Sequence, residues 1–70
     1  MSESIYKFIE LVGTSEKSWE DAVASVVKKA SETLRDLRIA EVLTLDAKIE
    51  KGNILLYRAK VKLSFKFQNE

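Results

Sequence analysis

The chain contains no cysteine and no histidine, and both absences exclude chemistry. Without cysteine there is no disulfide and no thiolate metal site to staple a small fold. Without histidine and cysteine the usual general base near neutral pH and the usual thiolate nucleophile are both missing. Catalysis by carboxylate or lysine needs perturbed pKa values that a sequence does not display, so an enzymatic reading ranks last and no catalytic residue is named. Charge of one sign is also lacking: twelve basic residues against eleven acidic ones leave +1. That balance gives no overall pull toward nucleic acid or an anionic membrane. No apolar run approaches the roughly 20 residues of a membrane span, and Met1-Ser2-Glu3-Ser4 is acidic where a signal peptide starts basic. The expectation is a soluble, cytoplasmic protein whose residues 1–70 form one domain. A chain this short buries only about 60% of the surface its unfolded form exposes, so self-assembly is the natural source of the missing stability.

What is present begins with a switch from strand to helix over Leu11-Val12-Gly13-Thr14-Ser15-Glu16-Lys17-Ser18-Trp19. Upstream, Ile5 to Val12 is rich in β-branched and aromatic residues and too short for a typical helix, which predicts a strand ended by Gly13. Thr14, Ser15 and Ser18 offer hydroxyls to the orphan N–H groups of a new helix. Asp21 follows Ser18 by three, an acidic near-match to a capping box. From there Trp19, Ala22, Val23, Val26, Val27, Ala30, Leu34 and Leu37 recur at steps of three and four, predicting an amphipathic helix over Ser18 to Leu37. Glu20 and Asp21 near its start and Arg35 and Arg38 near its end suit the helix dipole. Ala22, Ala24 and Ala30 leave room for a sheet to approach closely. Trp19, in the first turn on the apolar stripe, reads as a packing residue rather than a ligand platform.

Two strands follow. Ile39 to Glu50 carries apolar residues in a less regular order, and Lys51-Gly52-Asn53 supplies residues that tolerate the positive φ of a hairpin turn. In the last strand Tyr57, Ala59, Val61, Leu63, Phe65 and Phe67 alternate with Arg58, Lys60, Lys62, Ser64, Lys66 and Gln68, so one face is apolar and the other cationic. A strand of about eleven residues spans about 36 Å, more than one helix of a small domain covers, so part of it bends or meets another subunit. The cationic row of Arg58, Lys60, Lys62 and Lys66 is expected to lack interleaved aromatics on the same face, which argues for a solvated surface over a single-strand nucleic-acid platform. Its lysines are also expected to discourage pairing between sheet edges. The fold class is α+β, in the order β-α-β-β, with a three-stranded antiparallel sheet packed on one amphipathic helix.

That order, with Tyr6 through Ser15, Ser18-Trp19-Glu20-Asp21-Ala22, Thr33-Leu34-Arg35-Asp36-Leu37 followed by Glu41-Val42, and Tyr57 through Phe67, resembles the dodecin family over nearly the whole chain. The resemblance implies a small flavin-binding protein that assembles as a hollow homododecamer and stores or buffers riboflavin or FMN, quenching their excited states without catalysis. It also implies where the flavin would lie, and there this chain departs. A tryptophan that follows the helix and stacks on the isoalloxazine ring is matched by Ile39, and an amide just after the tyrosine of the last strand is matched by Arg58. A guanidinium donates but does not accept, so it does not reproduce an amide that does both. Losing an aromatic stack costs about 0.5–1.5 kcal/mol beyond area burial. Weakened or lost flavin binding is the expectation, with Arg58 available for an anionic group such as a phosphate.

Members of the family with an aliphatic residue at the tryptophan position and an arginine after the tyrosine include a calcium dodecin, and this chain resembles that branch. Calcium takes several oxygen ligands, and Glu41, Asp46 and Glu50 lie on the second strand, where symmetry would bring copies together. Strand alternation places Glu41 on the opposite side from Asp46 and Glu50, leaving Asp46 and Glu50 as the candidate metal pair. No spacing here resembles a dedicated calcium loop, and solvated acids pairing with nearby lysines are the plainer alternative. Three functions stay open: a ligand-binding shell with an altered flavin site, a calcium-binding shell, and a structural assembly of copies without a small ligand.

Overall fold

A computed structural model of the chain describes residues 5–66. Strand β1 (Tyr6–Ser15) leads into helix α1 (Trp19–Ser31), and strands β2 (Leu37–Glu50) and β3 (Asn53–Lys66) complete the chain in β-α-β-β order. The sheet has three strands in the order β1-β3-β2, and both neighbouring pairs are antiparallel. The alternating residues Phe67 and Gln68, and the acidic start Met1 to Ser4, lie outside the described residues.

Local chemistry explains most of these boundaries. Ser18 is the N-cap, its Oγ accepting from the Asp21 N–H at 3.0 Å. The expected reciprocal bond takes another route. The Ser15 hydroxyl donates to Asp21 Oδ2 at 2.7 Å, and its oxygen accepts from the N–H groups of Lys17 (2.9 Å) and Ser18 (3.4 Å). The capping box is thereby closed through Ser15, a polar residue only 8% exposed. At the hairpin, Lys51 and Gly52 both have positive φ, 52° and 79°, as the central pair of a primed two-residue turn requires. Asn53 already belongs to β3.

Three boundaries differ from the sequence expectation. The first concerns Gly13, which does not end β1 but sits inside it, opposite Ala59. Its missing side chain is needed for the approach of α1, since a Cβ there would lie 2.5 Å from the Ala22 carbonyl oxygen. The helix, second, stops at Ser31 rather than Leu37. The Ala30 carbonyl collects the N–H groups of Thr33 (3.1 Å) and Leu34 (2.8 Å), and Asp36 at φ 58° then turns the chain into β2. Leu34 and Leu37 still pack against the core, which is why their apolar spacing continues after the helix has ended. The basic residues of the last turn are consequently Lys28 and Lys29, while Arg35 and Arg38 lie beyond it. Third, β3 begins at Asn53, ahead of the regular alternation that starts at Tyr57.

The core is small. Ala22, Val26 and Ala30 of α1 meet Ala59, Val61 and Leu63 of β3, with Ile9, Val23, Val27, Leu34 and Leu37 around them. The helix therefore lies over β3 and β1, on the sheet face that carries the odd-numbered residues of the central strand. The even-numbered residues of β3 from Leu56 to Lys66 point to the opposite, open face. Many large apolar side chains remain outside this core, among them Phe8 (58% exposed), Ile39 (60%) and Ile49 (68%).

Candidate ligand face of the sheet

The open face is built around β3. Arg58 stands on this strand opposite Asp46 of β2 and Thr14 of β1. Its Nε donates to Asp46 Oδ1 at 2.7 Å and its Nη2 to Oδ2 at 2.9 Å, a bidentate fork on the carboxylate. That hydrogen bonding holds the Asp46 carboxyl below its ordinary range and raises Arg58 above its own. Both side chains are about half exposed, so solvent screens the pair and its value lies in orientation. Asp46 also works on the other face: its backbone carbonyl accepts from Trp19 Nε1 at 2.9 Å. The Trp19 ring meets Tyr57 edge-on, with centroids 4.9 Å apart and planes at 72°. Trp19 is a packing residue that pins the start of α1 to the β2–β3 hairpin.

Ile39 is on the same open face, opposite Ser64. Ser64 and Arg58 are six residues apart on β3, about 20 Å of strand. One chain therefore does not bring Ile39 and Arg58 together. Ile39 offers no ring to stack on, and two donors of Arg58 are committed to Asp46.

The acidic candidates occupy one face, which corrects the expectation from simple alternation. Between Val42 and Thr44 the register shifts, leaving Leu43 as an extra residue of β2. This bulge resets the alternation, and Glu41 comes opposite Lys62, on the same side as Asp46 opposite Arg58. Glu50 shares that side by regular alternation from Asp46. Lys62 and Arg58 are four residues apart, as are Asp46 and Glu50, so neighbouring acids are spaced about 13 Å along the strands. Calcium ligands sit at 2.3–2.6 Å from the ion. Among the described residues no group of three or more such ligands gathers in one chain.

The cationic row also reads differently in three dimensions. β3 is the central strand, so Lys60, Lys62 and Lys66 cannot guard a sheet edge. Lys60 Nζ lies 3.9 Å from Glu10 Oε1, and the Lys62 ammonium sits 4.5 Å from the centre of the Phe8 ring. Phe8 and Tyr6 are opposite Ser64 and Lys66, which places two aromatics on this face that no reading of β3 alone reveals. Glu10, Glu41 and Asp46 flank the row on both sides, so the face is mixed in charge.

Comparison with known proteins matches this architecture. Residues 5–68 fit the family model described as Dodecin. The chain belongs to the dodecin family. It is 38% identical over 65 residues to the calcium dodecin of Mycobacterium tuberculosis, covering 93% of this chain and 92% of that one. A crystal structure of that calcium dodecin, described as having a novel calcium-binding site, superimposes with a TM-score of 0.81 at 40% identity, over 96% of each chain. The dodecin of Thermus thermophilus is 33% identical over 64 residues, covering 91% and 93% of the two chains. The dodecin structure from Streptomyces coelicolor has a TM-score of 0.93 at 36% identity, with both chains fully covered. Within this dodecin fold, the positions that the family resemblance links to a flavin are Ile39 and Arg58, both on the open face and far apart in one chain. No helix among the described residues is long and apolar enough to cross a membrane.

Proposed function

We propose that this dodecin-family chain forms a hollow homododecamer in the cytoplasm, a non-enzymatic binding or storage shell whose affinity for riboflavin and FMN is weakened or lost. The observation that carries the reading is the state of the two flavin positions. Ile39 presents an exposed aliphatic side chain, and Arg58 is held in a bidentate fork by Asp46. A flavin pair losing its aromatic stack on both sides forfeits about 1–3 kcal/mol, roughly 5- to 150-fold in affinity. Titrating riboflavin and FMN against the purified protein, with flavin fluorescence quenching as the signal, tests this. Dissociation constants well above micromolar are expected, with recovery in the Ile39→Trp/Arg58→Gln double variant. Sub-micromolar affinity in the unmodified protein refutes it.

A second reading is a calcium-binding shell. Its support is the likeness to the calcium dodecin of M. tuberculosis and the single face shared by Glu41, Asp46 and Glu50. Since these acids are spread along one chain, a calcium site would take ligands from more than one copy. Equilibrium dialysis in physiological salt decides it: uptake that Asp46→Asn and Glu50→Gln abolish supports the site, and no uptake removes it. A shell that retains no flavin and no metal in native mass spectrometry leaves a structural role.

A further inference from the structure

Arg58 does not offer its whole guanidinium to the open face. The planar group has one edge formed by Nε and Nη2 and another formed by Nη1 and Nη2. Asp46 takes the first, with Nε donating to Oδ1 at 2.7 Å and Nη2 to Oδ2 at 2.9 Å. Such an edge suits a carboxylate or a phosphate, so Arg58 already holds an anion of the kind it is best shaped for. The second edge is not used by the fork. Because two parallel hydrogen bonds fix the plane of the group, this edge keeps a set direction even though the side chain is about half exposed.

The charges around Arg58 are matched as well. Its lateral neighbours are Thr14 on β1 and Asp46 on β2, while Lys60, the next residue of β3 on this face, stands between Val12 and Thr44. Lys60 Nζ lies 3.9 Å from Glu10 Oε1. Each cation of this half of the face has its own carboxylate, and the groups between them, Thr14, Thr44 and Val12, carry no charge. The other half is different: Lys62 lies over the Phe8 ring, although Glu10 and Glu41 are its lateral neighbours. An anion approaching the second edge of Arg58 is attracted by the guanidinium and repelled by Asp46 from about 7 Å, within reach of Coulomb forces near a protein surface. That repulsion weakens anion binding by about tenfold, a value between those for bulk water and for a protein surface. An uncharged carbonyl or ring-nitrogen acceptor meets no such repulsion and still finds the donors of the second edge.

We infer that Asp46 determines the ligand class of this face: by holding Arg58 in the fork it selects against phosphates and other anions, so the ligand admitted there is uncharged. Asp46 is a positioning residue, acting through Arg58. This deepens the proposed function and rests on it for Arg58 being a ligand position. It also corrects the sequence expectation that Arg58 is available to a phosphate.

Inorganic phosphate is the probe, with its phosphorus NMR line width as the signal, titrated into the full-length protein at fixed ionic strength because salt screens exposed charges. Subtracting the same titration of Arg58→Gln isolates the binding that Arg58 carries, and Asp46→Asn/Arg58→Gln is the corresponding blank for Asp46→Asn. The Arg58-dependent affinity is expected to rise by about tenfold in Asp46→Asn. This variant keeps the backbone carbonyl that accepts from Trp19 Nε1, so the start of α1 stays pinned. Asp46→Glu keeps the charge and is expected to bind phosphate as weakly as the unmodified protein. An Arg58-dependent affinity that is the same with and without the carboxylate overturns the inference. So does an affinity as high in Asp46→Glu as in Asp46→Asn, since the effect is then one of shape and not of charge. No flavin enters this experiment, so sub-micromolar flavin affinity in the unmodified protein refutes the proposed function and leaves the phosphate result standing.

Discussion

The seating of α1 on β1 through Gly13 makes the sharpest prediction about stability. Gly13 has no positive φ, so replacing it with alanine strains no backbone and the whole cost is steric. The new Cβ would sit 2.5 Å from the Ala22 carbonyl oxygen and press on Val26 Cγ2. Ordinary contact begins near about 3.5 Å, so α1 must retreat by about 1 Å at this point. Ala22 is fully buried and Val26 nearly so, and both belong to the cluster that includes Ala59, Val61 and Leu63. A radial gap of about 0.5–1 Å forfeits a quarter to a half of each dispersion contact across it. Overpacking of this kind costs about 1–3 kcal/mol, and the upper half applies because one obstacle is backbone. Thermal unfolding of Gly13→Ala at fixed protein concentration, as an assembling chain requires, should show Tm lowered by about 8–16 °C for about 2 kcal/mol. Val26→Ala combined with Gly13→Ala removes the Cγ2 obstacle but not the carbonyl, so the double-mutant cycle should show partial rescue only. Gly13→Ala within about 0.5 kcal/mol of the unmodified protein, or full rescue by Val26→Ala, refutes the close helix–strand approach described above.

Ser18→Ala removes the N-cap acceptor for the Asp21 N–H and should cost about 1 kcal/mol, measured by urea denaturation followed by circular dichroism. Trp19→Phe keeps an aromatic ring against Tyr57 but deletes the donor to the Asp46 carbonyl, so the same denaturation experiment should show a loss of about 1 kcal/mol. Asp46 gives a pH dependence of defined sign. Its carboxyl titrates below the ordinary value of 3.8 because Arg58 hydrogen-bonds the charged form. The contribution of the pair is fully present above 3.8 and disappears as pH falls through the lowered folded value. The Arg58 Nε–H resonance should follow that acid transition and lose it in Asp46→Asn, and an unchanged resonance in the variant would contradict the fork.

How much of this was legible in the sequence depends on whether the signal was local. Ser18 followed by Asp21, and Lys51-Gly52 between two strands, announce themselves because a cap and a two-residue turn are satisfied within a few residues. The period of two in β3 is clear because this central strand has a buried face under α1 and an open face away from it. The helix end was not legible, since Leu34 and Leu37 reach the same core from a turn and a strand that their spacing does not distinguish from helix. Gly13 carried a signal that fits two causes, a strand end or a close approach, and only the position of α1 separates them. At the candidate site, the bulge at Leu43 moves Glu41 to the side of Asp46 without any glycine to mark it. Phe8 reaches Lys62 from a strand more than 50 residues away in sequence, where no pattern in β3 could point.

These features bear together on where a ligand would sit. The six buried residues of the core include three alanines, Ala22, Ala30 and Ala59, whose burial removes little apolar surface from water. Meanwhile Ile39, Val12 and Phe8 on the open face, and Leu45, Ile49 and Ile54 along the hairpin, are all half exposed or more. A fold with a small core and so much apolar surface outside it gains most by meeting copies of itself. The same geometry governs the two candidate ligand positions. Ile39 and Arg58 share a face yet stand about 20 Å apart along β3, so a ring system touching both must take Ile39 from one copy and Arg58 from another. Binding and assembly then become linked equilibria: a ligand held across copies stabilises the particle, and a substitution that loosens the particle weakens the ligand without touching it.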